Sequence, residues 1–337
     1  MRKIHAAALL LAGLFAAAPA KAQAPAQDFY RGKTITFIIG YGPGGGVDTA
    51  SRLIIRHLFR FIPGKPDITP QNMEGAGGVI SGNYLGARAS KDGLTIGLPG
   101  RSWFVEGLVK SPGVTFDPTK FSYIGSTGVN NTMLYIRGDL NIRTPEDLMK
   151  HPQKIPAAGI GAGTPTVTIP NMLSEYGFPL RTVLGYNSSA RSLLALEQGE
   201  VGAYYTPEDS FTKRPDLIEK KVVVPVMQSK RIVPGLAVVA DVVPKKDHAV
   251  LGLFNAYDDT GLMVVAPPGV PSDRLEILRK AFIEMCNDAD FRKDAATAGE
   301  PVGAPIPGPE LEKVMANLAA AATPEVVSEY RRLGQAK

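Results

Sequence analysis

Two glycine-rich segments, each between an apolar strand pattern and a helix pattern, have the composition of backbone anion sites. Residues 34–48 read Thr-Ile-Thr-Phe-Ile-Ile-Gly-Tyr-Gly-Pro-Gly-Gly-Gly-Val-Asp, and apolar residues then recur at helical spacing as far as Phe61. The first N–H groups of a helix have no acceptor within the helix, and they lie at the positive end of its dipole. Because glycine has no side chain, a ligand can approach this backbone closely. The segment therefore predicts an anion site that needs no charged side chain.

The second segment repeats this chemistry. A strand pattern at 155–159 leads into Gly161-Ala162-Gly163-Thr164-Pro165-Thr166, and a helix pattern follows as far as Gly177. Strand, loop and helix patterns alternate along most of the chain, which is typical of an α/β fold with largely parallel sheets. Ligands of such folds bind at the carboxyl ends of the strands. The two loops therefore suggest two α/β lobes that face each other.

Three further side chains are candidates for ligand contact. Arg101 and Trp103 follow the strand pattern at 94–98, so we expect them beside the first glycine loop. Arginine would suit a second carboxylate and tryptophan an apolar ligand body, whereas the alternative is a surface arginine with a half-buried tryptophan. Asp48 is best interpreted as a cap of the helix that follows the loop. Its alternative role is a contact to an amino or hydroxyl group of the ligand.

Other kinds of chemistry have little support. Gly40-x-Gly42-x-x-Gly45 has the letters of a dinucleotide fingerprint, but no acidic residue follows at the distance that holds a ribose, and Asp48 would repel a pyrophosphate. No histidine forms a metal-ligand spacing with cysteine, histidine or acidic residues. Consecutive Asp258 and Asp259 indicate a solvated turn. We therefore expect no cofactor, no metal and no catalysis, with an exported enzyme that uses Asp48 or Asp258 as a base as the alternative.

Residues 1–22 have the pattern of a secretory signal peptide. Arg2 and Lys3 precede an apolar stretch that is too short to span a membrane, and Ala20-Lys21-Ala22 is a small-residue cleavage site. Removing this segment lowers the Lys and Arg count from 37 to 34 against 32 Asp and Glu, so the formal charge falls from +5 to +2. The charge therefore does not support nucleic-acid binding. We expect an exported, periplasmic protein.

The single cysteine, Cys286, excludes an internal disulfide. It lies in a helix pattern on the same stripe as Leu278 and Phe282. A buried cysteine behaves as a small apolar residue, so we expect a packed core thiol and not a nucleophile.

Several segments together resemble a known family. The chain resembles the extracytoplasmic solute receptors of the tripartite tricarboxylate transporters, the Bug/TctC family of periplasmic binding proteins. The resemblance extends through nearly all of the chain after residue 22. The segments that carry it are Gly44-Gly45-Gly46-Val47-Asp48 with Ala50-Ser51-Arg52, Gln71-Asn72-Met73-Glu74-Gly75-Ala76-Gly77-Gly78, Asp92-Gly93-Leu94-Thr95, Gly161-Ala162-Gly163-Thr164, Gly185-Tyr186-Asn187 and Ser229-Lys230-Arg231.

The resemblance implies an α/β, two-lobe periplasmic-binding-protein (flytrap) fold with crossing hinge strands. Lobe 1 would comprise 23–130 and 258–337, and lobe 2 would comprise 131–257. One ligand carboxylate would be held by backbone N–H groups and hydroxyls of both loops, and two tyrosines would line the cleft. With the candidates above, the expected ligand-binding set is Tyr41, Gly42, Pro43, Gly44, Gly45, Gly46, Asp48, Arg101, Trp103, Gly163, Thr164, Pro165, Thr166, Tyr186 and Tyr205.

The function implied is capture of a small carboxylate, either a di- or tricarboxylate or an aromatic acid. The protein would deliver this carboxylate to the membrane permease subunits of a tripartite transporter, and we expect it to act as a monomer. A receptor that signals to a sensor kinase is the alternative, since the sequence does not specify a docking face.

Overall fold

The computed structural model describes residues 26–44, 46–160, 164–186, 189–211, 214–300 and 302–334. The signal peptide expected at 1–22 lies outside them. The strands of the described residues are β1 (Thr34–Ile39), β2 (Asp67–Asn72), β3 (Thr95–Leu98), β4 (Ser122–Ser126), β5 (Thr132–Arg137), β6 (Ile155–Gly159), β7 (Leu180–Leu184), β8 (Ala203–Pro207), β9 (Val223–Gln228), β10 (Ala237–Val238), β11 (Met263–Ala266) and β12 (Ile306–Pro307).

Helices connect these strands, as the alternating pattern predicts. None in the described part of the chain is long and apolar enough to cross a membrane. They are α1 (Ala26–Phe29), α2 (Gly46–Leu58), α3 (Val79–Ala87), α4 (Trp103–Leu108), α5 (Pro145–Met149), α6 (Pro165–Glu175), α7 (Ser189–Gln198), α8 (Asp216–Glu219), α9 (Val239–Val242), α10 (His248–Phe254), α11 (Ala256–Thr260), α12 (Ser272–Asn287), α13 (Ala289–Ala298), α14 (Gly308–Ala321) and α15 (Pro324–Leu333).

The strands form two six-stranded mixed sheets. The first has the order β12-β4-β11-β3-β1-β2, and the second has the order β10-β9-β5-β8-β6-β7. Parallel pairing is confined to β1 with β2 and β3, β6 with β7 and β8, and β9 with β10. The sheets are thus less parallel than expected. The chain leaves the first sheet along β4 and returns along β11, so these neighbouring strands run antiparallel.

Two segments join the sheets, and they are hydrogen-bonded to each other. The N–H of Thr127 donates to the carbonyl of Leu262 at 3.3 Å, and the N–H of Asn130 donates to the carbonyl of Asp258 at 3.2 Å. The outgoing segment is extended, whereas the returning one contains α11. Gly261 has a φ of 59°, and a Cβ there would lie 1.8 Å from the carbonyl oxygen of Gly128. Glycine is therefore required where the two segments cross.

Asp258 corrects the expectation of a solvated acidic pair at 258–259. Its side chain is 1 % exposed, and its Oδ1 accepts a hydrogen bond from the Thr132 hydroxyl at 2.6 Å. Asp259 is half-exposed and forms an ion pair with Lys230. Consecutive residues in α11 point in different directions, so one carboxylate enters the hinge and the other remains at the surface.

The start of α5 and the environment of Cys286 each have a simple physical basis. The hydroxyl of Thr144 accepts the N–H of Asp147, whose carboxylate accepts the N–H of Thr144, so a capping box begins α5. Cys286 is fully buried in α12, and burial raises the pKa of its thiol to about 12. It is the packed core thiol that its position predicts.

The last helix, α15, contacts elements of both sheets. It packs against α10 and α6, and the amide of Asn171 donates to the carbonyl of Leu333 at 3.0 Å. On its other side, Arg331 donates to the carbonyls of Val109 at 2.6 Å and Lys110 at 3.2 Å. The division of the chain into lobes at 130 and 258 remains a prediction. In that division α15 belongs to lobe 1 and contacts two helices of lobe 2, α6 and α10.

Candidate functional site

A cavity of about 380 Å³ lies where the two glycine loops meet. Each loop follows a strand of its own sheet and precedes a helix, α2 or α6, so two helix starts reach the same cavity. Eight of the expected ligand-binding residues line it. They are Tyr41, Gly42, Gly46, Arg101, Thr164, Pro165, Thr166 and Tyr205.

The remaining expected residues are placed differently. Gly45 and Gly163 lie outside the described residues. The lining does not include Pro43, Gly44, Asp48, Trp103 or Tyr186.

Asp48 stabilises the first loop and does not reach the cavity. It is buried at the start of α2, and its carboxylate accepts the N–H of Gly44 at 2.9 Å. It also accepts Nε of Arg52 at 2.9 Å and Nδ2 of Asn72 at 2.9 Å. Burial alone would raise the pKa of Asp48, but these hydrogen bonds outweigh it and lower the pKa. The N–H of Gly44 therefore serves the loop itself and not a ligand.

The loop is also held from β2. Nδ2 of Asn72 donates to the carbonyl of Tyr41 at 2.7 Å as well as to Asp48. Gly44 has a φ of 86°, which favours glycine. The loop is thus held in one conformation by groups behind it, and Tyr41, Gly42 and Gly46 face the cavity.

The second loop presents hydroxyl groups and the start of α6. The hydroxyls of Thr164 and Thr166 are 2.7 Å apart, and the Thr166 hydroxyl accepts the N–H of Ile160 at 3.0 Å. Pro165 occupies the first turn, where a missing N–H costs nothing. Because Pro165 and Thr166 line the cavity, the positive end of the eleven-residue helix α6 is directed toward it.

Arg101 is the charged side chain among the described lining residues. Its guanidinium carbon lies 4.8 Å from the centre of the Tyr257 ring, within the range of a cation–π contact. Its Nη2 lies 3.9 Å from Oε2 of Glu300. Arg101 is 28 % exposed, so it is held between these two groups while it still faces the cavity.

Trp103 and Tyr186 correct two expectations about the cavity wall. Trp103 is fully buried at the start of α4, with its ring 4.8 Å from Phe121 and 5.2 Å from Phe116. Tyr186 donates its hydroxyl to Glu200 at 2.7 Å, and burial together with that carboxylate raises its pKa to about 12. Position after a strand predicted the neighbourhood of Trp103, and the family resemblance placed Tyr186 at the cleft, but neither gave the direction of the side chain.

Tyr205 lines the cavity with a buried ring. Its hydroxyl donates to Oδ1 of Asn255 at 3.0 Å, and burial raises its pKa well above the usual value. The next residue of β8, Thr206, also lines the cavity, and the rule that ligands meet strand ends could have found it. Tyr257 and Tyr330 come from distant segments without any motif, so no sequence signal pointed to them.

The lining residues that the sequence did not indicate are mostly apolar or hydroxyl-bearing. Together they are Val47, Ser102, Val105, Thr132, Ile160, Ser189, Tyr204, Thr206, Pro207, Ser210, Leu253, Phe254, Tyr257 and Tyr330. Within the described part of the chain, no three of the His, Cys, Asp and Glu side chains are grouped so as to hold a metal ion. Asp258, one of the two acids considered as a catalytic base, lies between the two segments that join the sheets. It is not among the residues that line the cavity.

Comparison with characterised sequences gives one distant relative. No family model matches the chain. A protein of Pseudomonas sp. (strain P51), described as a UPF0065 protein in the tcbD-tcbE intergenic region, is 26 % identical over 220 residues. The match spans 63 % of this chain and 63 % of the length of that protein.

Comparison with solved structures gives matches over a larger share of the chain. MatC from Rhodopseudomonas palustris with bound malate has a TM-score of 0.60 at 18 % identity, over 90 % of this chain and 99 % of MatC. The periplasmic binding protein BugD has a TM-score of 0.61 at 20 % identity, with the same coverage. A TctC solute-binding protein from Polaromonas has a TM-score of 0.64 at 14 % identity, over 90 % and 98 % of the two chains. The chain therefore has the two-lobe fold of the Bug/TctC-type periplasmic solute-binding proteins, as its motifs predict.

Proposed function

We propose that the protein is an extracytoplasmic solute-binding protein that captures a small carboxylate between its lobes and delivers it to a tripartite tricarboxylate transporter permease. The observation that carries the proposal is that Tyr41, Gly42 and Gly46 of the first loop border the same cavity as Thr164, Pro165 and Thr166 of the second. A ligand that contacts both loops favours the closed arrangement by the difference between its affinities for the two states.

The chemistry of the cavity supports a carboxylate. Two helix starts, hydroxyl groups and one guanidinium surround it. Charge-assisted hydrogen bonds contribute about 1.5–3 kcal/mol each. Four or five of them, after the costs of association, are enough for an affinity near micromolar, about −8 kcal/mol.

The proposed ligand class matches what related structures contain. MatC holds malate, and a second protein of R. palustris, Rpa4515, holds adipate. Their TM-scores to this chain are 0.60 and 0.62. Both ligands are carboxylates, so proteins of this fold can bind this class of ligand.

A thermal-shift and calorimetric screen tests the proposal. Mono-, di- and tricarboxylates are compared with phosphate and with amines that match the carboxylates in size. We expect at least one carboxylate to stabilise the protein by about 2.7 kcal/mol at a hundredfold excess over its dissociation constant. The proposal fails if no carboxylate binds, or if phosphate stabilises the protein as much as the best carboxylate does.

Export and delivery are tested separately. We propose cleavage after Ala22. The mass of the protein recovered from the periplasm of an expressing bacterium is therefore expected to match a chain that begins at Gln23. Uptake of labelled ligand into vesicles that contain the permease subunits is expected only when the liganded protein is added. Uptake that is independent of the protein, together with ligand-dependent activation of a sensor kinase, would favour the signalling alternative.

A further inference from the structure

A carboxylate of the protein lies beside the arginine of the cavity, on the side away from the cavity. Oε2 of Glu300 lies 3.9 Å from Nη2 of Arg101. Glu300 also approaches the first turn of α2, since a Cβ on Gly46 would lie 3.1 Å from its Oε1. Its side chain is 15 % exposed, and it does not line the cavity. Glu300 therefore partly neutralises the cation of the site from behind.

Among the described lining residues, Arg101 is the one charged side chain, so they offer no counter-ion to a second charge on the ligand. Several other lining side chains are apolar or aromatic, and they include Val105, Leu253, Phe254 and Tyr330. Phe254 and Tyr330 pack with ring centres 4.9 Å apart. A carboxylate buried against such groups without a cation pays a large desolvation penalty.

Several hydroxyl groups of the wall already have partners in the protein. The hydroxyls of Thr206 and Ser210 lie 2.7 Å apart, and the Thr132 hydroxyl donates to Asp258 at 2.6 Å. These groups can orient a neutral polar substituent, but they carry no positive charge. The volume of about 380 Å³ is near the lower end of the usual range for small-molecule sites, about 300–1,000 Å³.

Given the carboxylate capture proposed above, we infer that the cavity selects a carboxylate with a single negative charge on an apolar body of one aromatic ring, and that Glu300 sets this selectivity. Arg101 and the loop backbone receive the carboxylate, and the aromatic wall receives the ring. Glu300 excludes dicarboxylates because it already balances the charge of Arg101. This assignment replaces the earlier expectation that Arg101 favours a second acidic group.

The test measures dissociation constants by calorimetry for phenylacetate, succinate and adipate, with the wild-type protein and with Glu300→Gln. We expect the wild-type protein to bind phenylacetate at least tenfold more tightly than either dicarboxylate. Glu300→Gln keeps the shape of the side chain and removes its charge, so the ratio is expected to shift toward the dicarboxylates by at least tenfold. Glu310→Gln, an exposed acid in α14, is the matched control and leaves the ratio unchanged.

Two results overturn the inference while leaving the proposed function intact. One is tighter binding of succinate or adipate by the wild-type protein. The other is an unchanged ratio in Glu300→Gln, with a melting temperature that shows the variant is folded. If Glu300→Gln does not fold, Glu300→Asp takes its place. The shorter side chain moves the carboxylate away from Arg101, so the binding ratio is again expected to shift toward the dicarboxylates. Failure of every carboxylate to bind would instead overturn the proposed function.

Discussion

The carboxylate of Asp48 accepts the N–H of Gly44, four residues earlier in the chain, at 2.9 Å. The helix that begins at the first glycine loop thus holds the loop from which it starts. The same carboxylate also accepts hydrogen bonds from Arg52 and Asn72. A loop that is held in this way keeps its conformation without a ligand, so binding there would carry little ordering cost for the loop.

Replacement of Asp48 by alanine is expected to destabilise the protein and to weaken ligand binding. Three donors would lose their acceptor in a buried position, with a cost of about 3 kcal/mol in the free energy of unfolding. Urea denaturation and calorimetry measure the two effects. Asp67→Ala, at an exposed position of β2, is the control and should change stability by no more than about 0.5 kcal/mol. Equal stability of the two variants would contradict the role assigned to Asp48.

The buried Asp258 is expected to give the stability of the protein a distinct pH dependence. Burial raises its pKa from 3.8 to about 6, although hydrogen bonds from Ser229 and Thr132 and the charge of Lys230 lower it, and the charge of Asp259 raises it. Because the folded-state pKa is above the unfolded value, the favourable contribution is fully present below pH 3.8. It is lost as the pH rises to about 6, a change of about 3 kcal/mol.

Asp258→Asn isolates this effect. The variant cannot ionise, so its stability relative to wild type is expected to increase between pH 4 and pH 6 and then to stay level. Chemical denaturation at several pH values measures the difference, and carboxylates that titrate elsewhere cancel in it. A difference that does not vary with pH would show that Asp258 is not protonated in the folded protein at pH 5.

Arg101→Ala is expected to reduce carboxylate affinity by about ten- to a hundredfold, since a charge-assisted hydrogen bond contributes about 1.5–3 kcal/mol. Arg101→Lys keeps the charge but loses the planar contact with Tyr257, so an intermediate loss is expected. Calorimetry measures both. Arg231→Ala removes an exposed arginine that pairs with Asp241 and is the matched control. An unchanged affinity in Arg101→Ala would show that Arg101 does not contact the ligand.

Gly40→Ala is expected to destabilise the protein by more than about 2 kcal/mol, as overpacking against backbone does. A Cβ at this position, directly after β1, would lie 1.7 Å from the carbonyl oxygen of Pro99. Gly252→Ala is the matched control, because no atom lies within 4 Å of its Cβ position in α10. Alanine there should stabilise the helix by about 0.5–1 kcal/mol. Urea denaturation of both variants distinguishes the two glycines.

Arg331→Ala is expected to accelerate ligand release. Arg331 connects α15 to the backbone at the end of α4, while α15 packs on α6 and α10. Loss of a hydrogen bond worth about 0.5–1.5 kcal/mol should raise the release rate about two- to tenfold. Stopped-flow measurement of release tests this. Arg31→Ala is the control, since Arg31 is an exposed side chain that pairs with Asp28, three residues before it in the chain. Equal rates in the two variants would contradict the connecting role of Arg331.

Several features of the site could be predicted because they depend on short stretches of chain. The composition and spacing of 34–48 predicted a strand, a glycine loop and a helix, and the structure contains β1, the loop and α2 there. The buried thiol of Cys286 was predicted from the helical spacing of its neighbours. Helical periodicity, caps and turns are determined by neighbours a few residues apart.

Other features could not be predicted, because they depend on contacts between distant segments. Trp103 follows β3 as expected, but packing against Phe121 decides that its ring points into the core. Asp258 and Asp259 are adjacent in sequence, yet one is buried between the crossing segments and the other is half-exposed. Tyr257 and Tyr330 reach the cavity from segments that no local pattern connects with it.

By itself, the sequence determined that the chain forms alternating strands and helices and that two of its loops can offer backbone N–H groups to an anion. These properties follow from local geometry and from glycine's lack of a side chain. The tertiary structure alone decided which groups surround the cavity, that Asp48 serves the loop, and that Glu300 stands behind Arg101. The direction and environment of a side chain depend on close packing between distant segments, and that packing is specified only when the whole chain is folded.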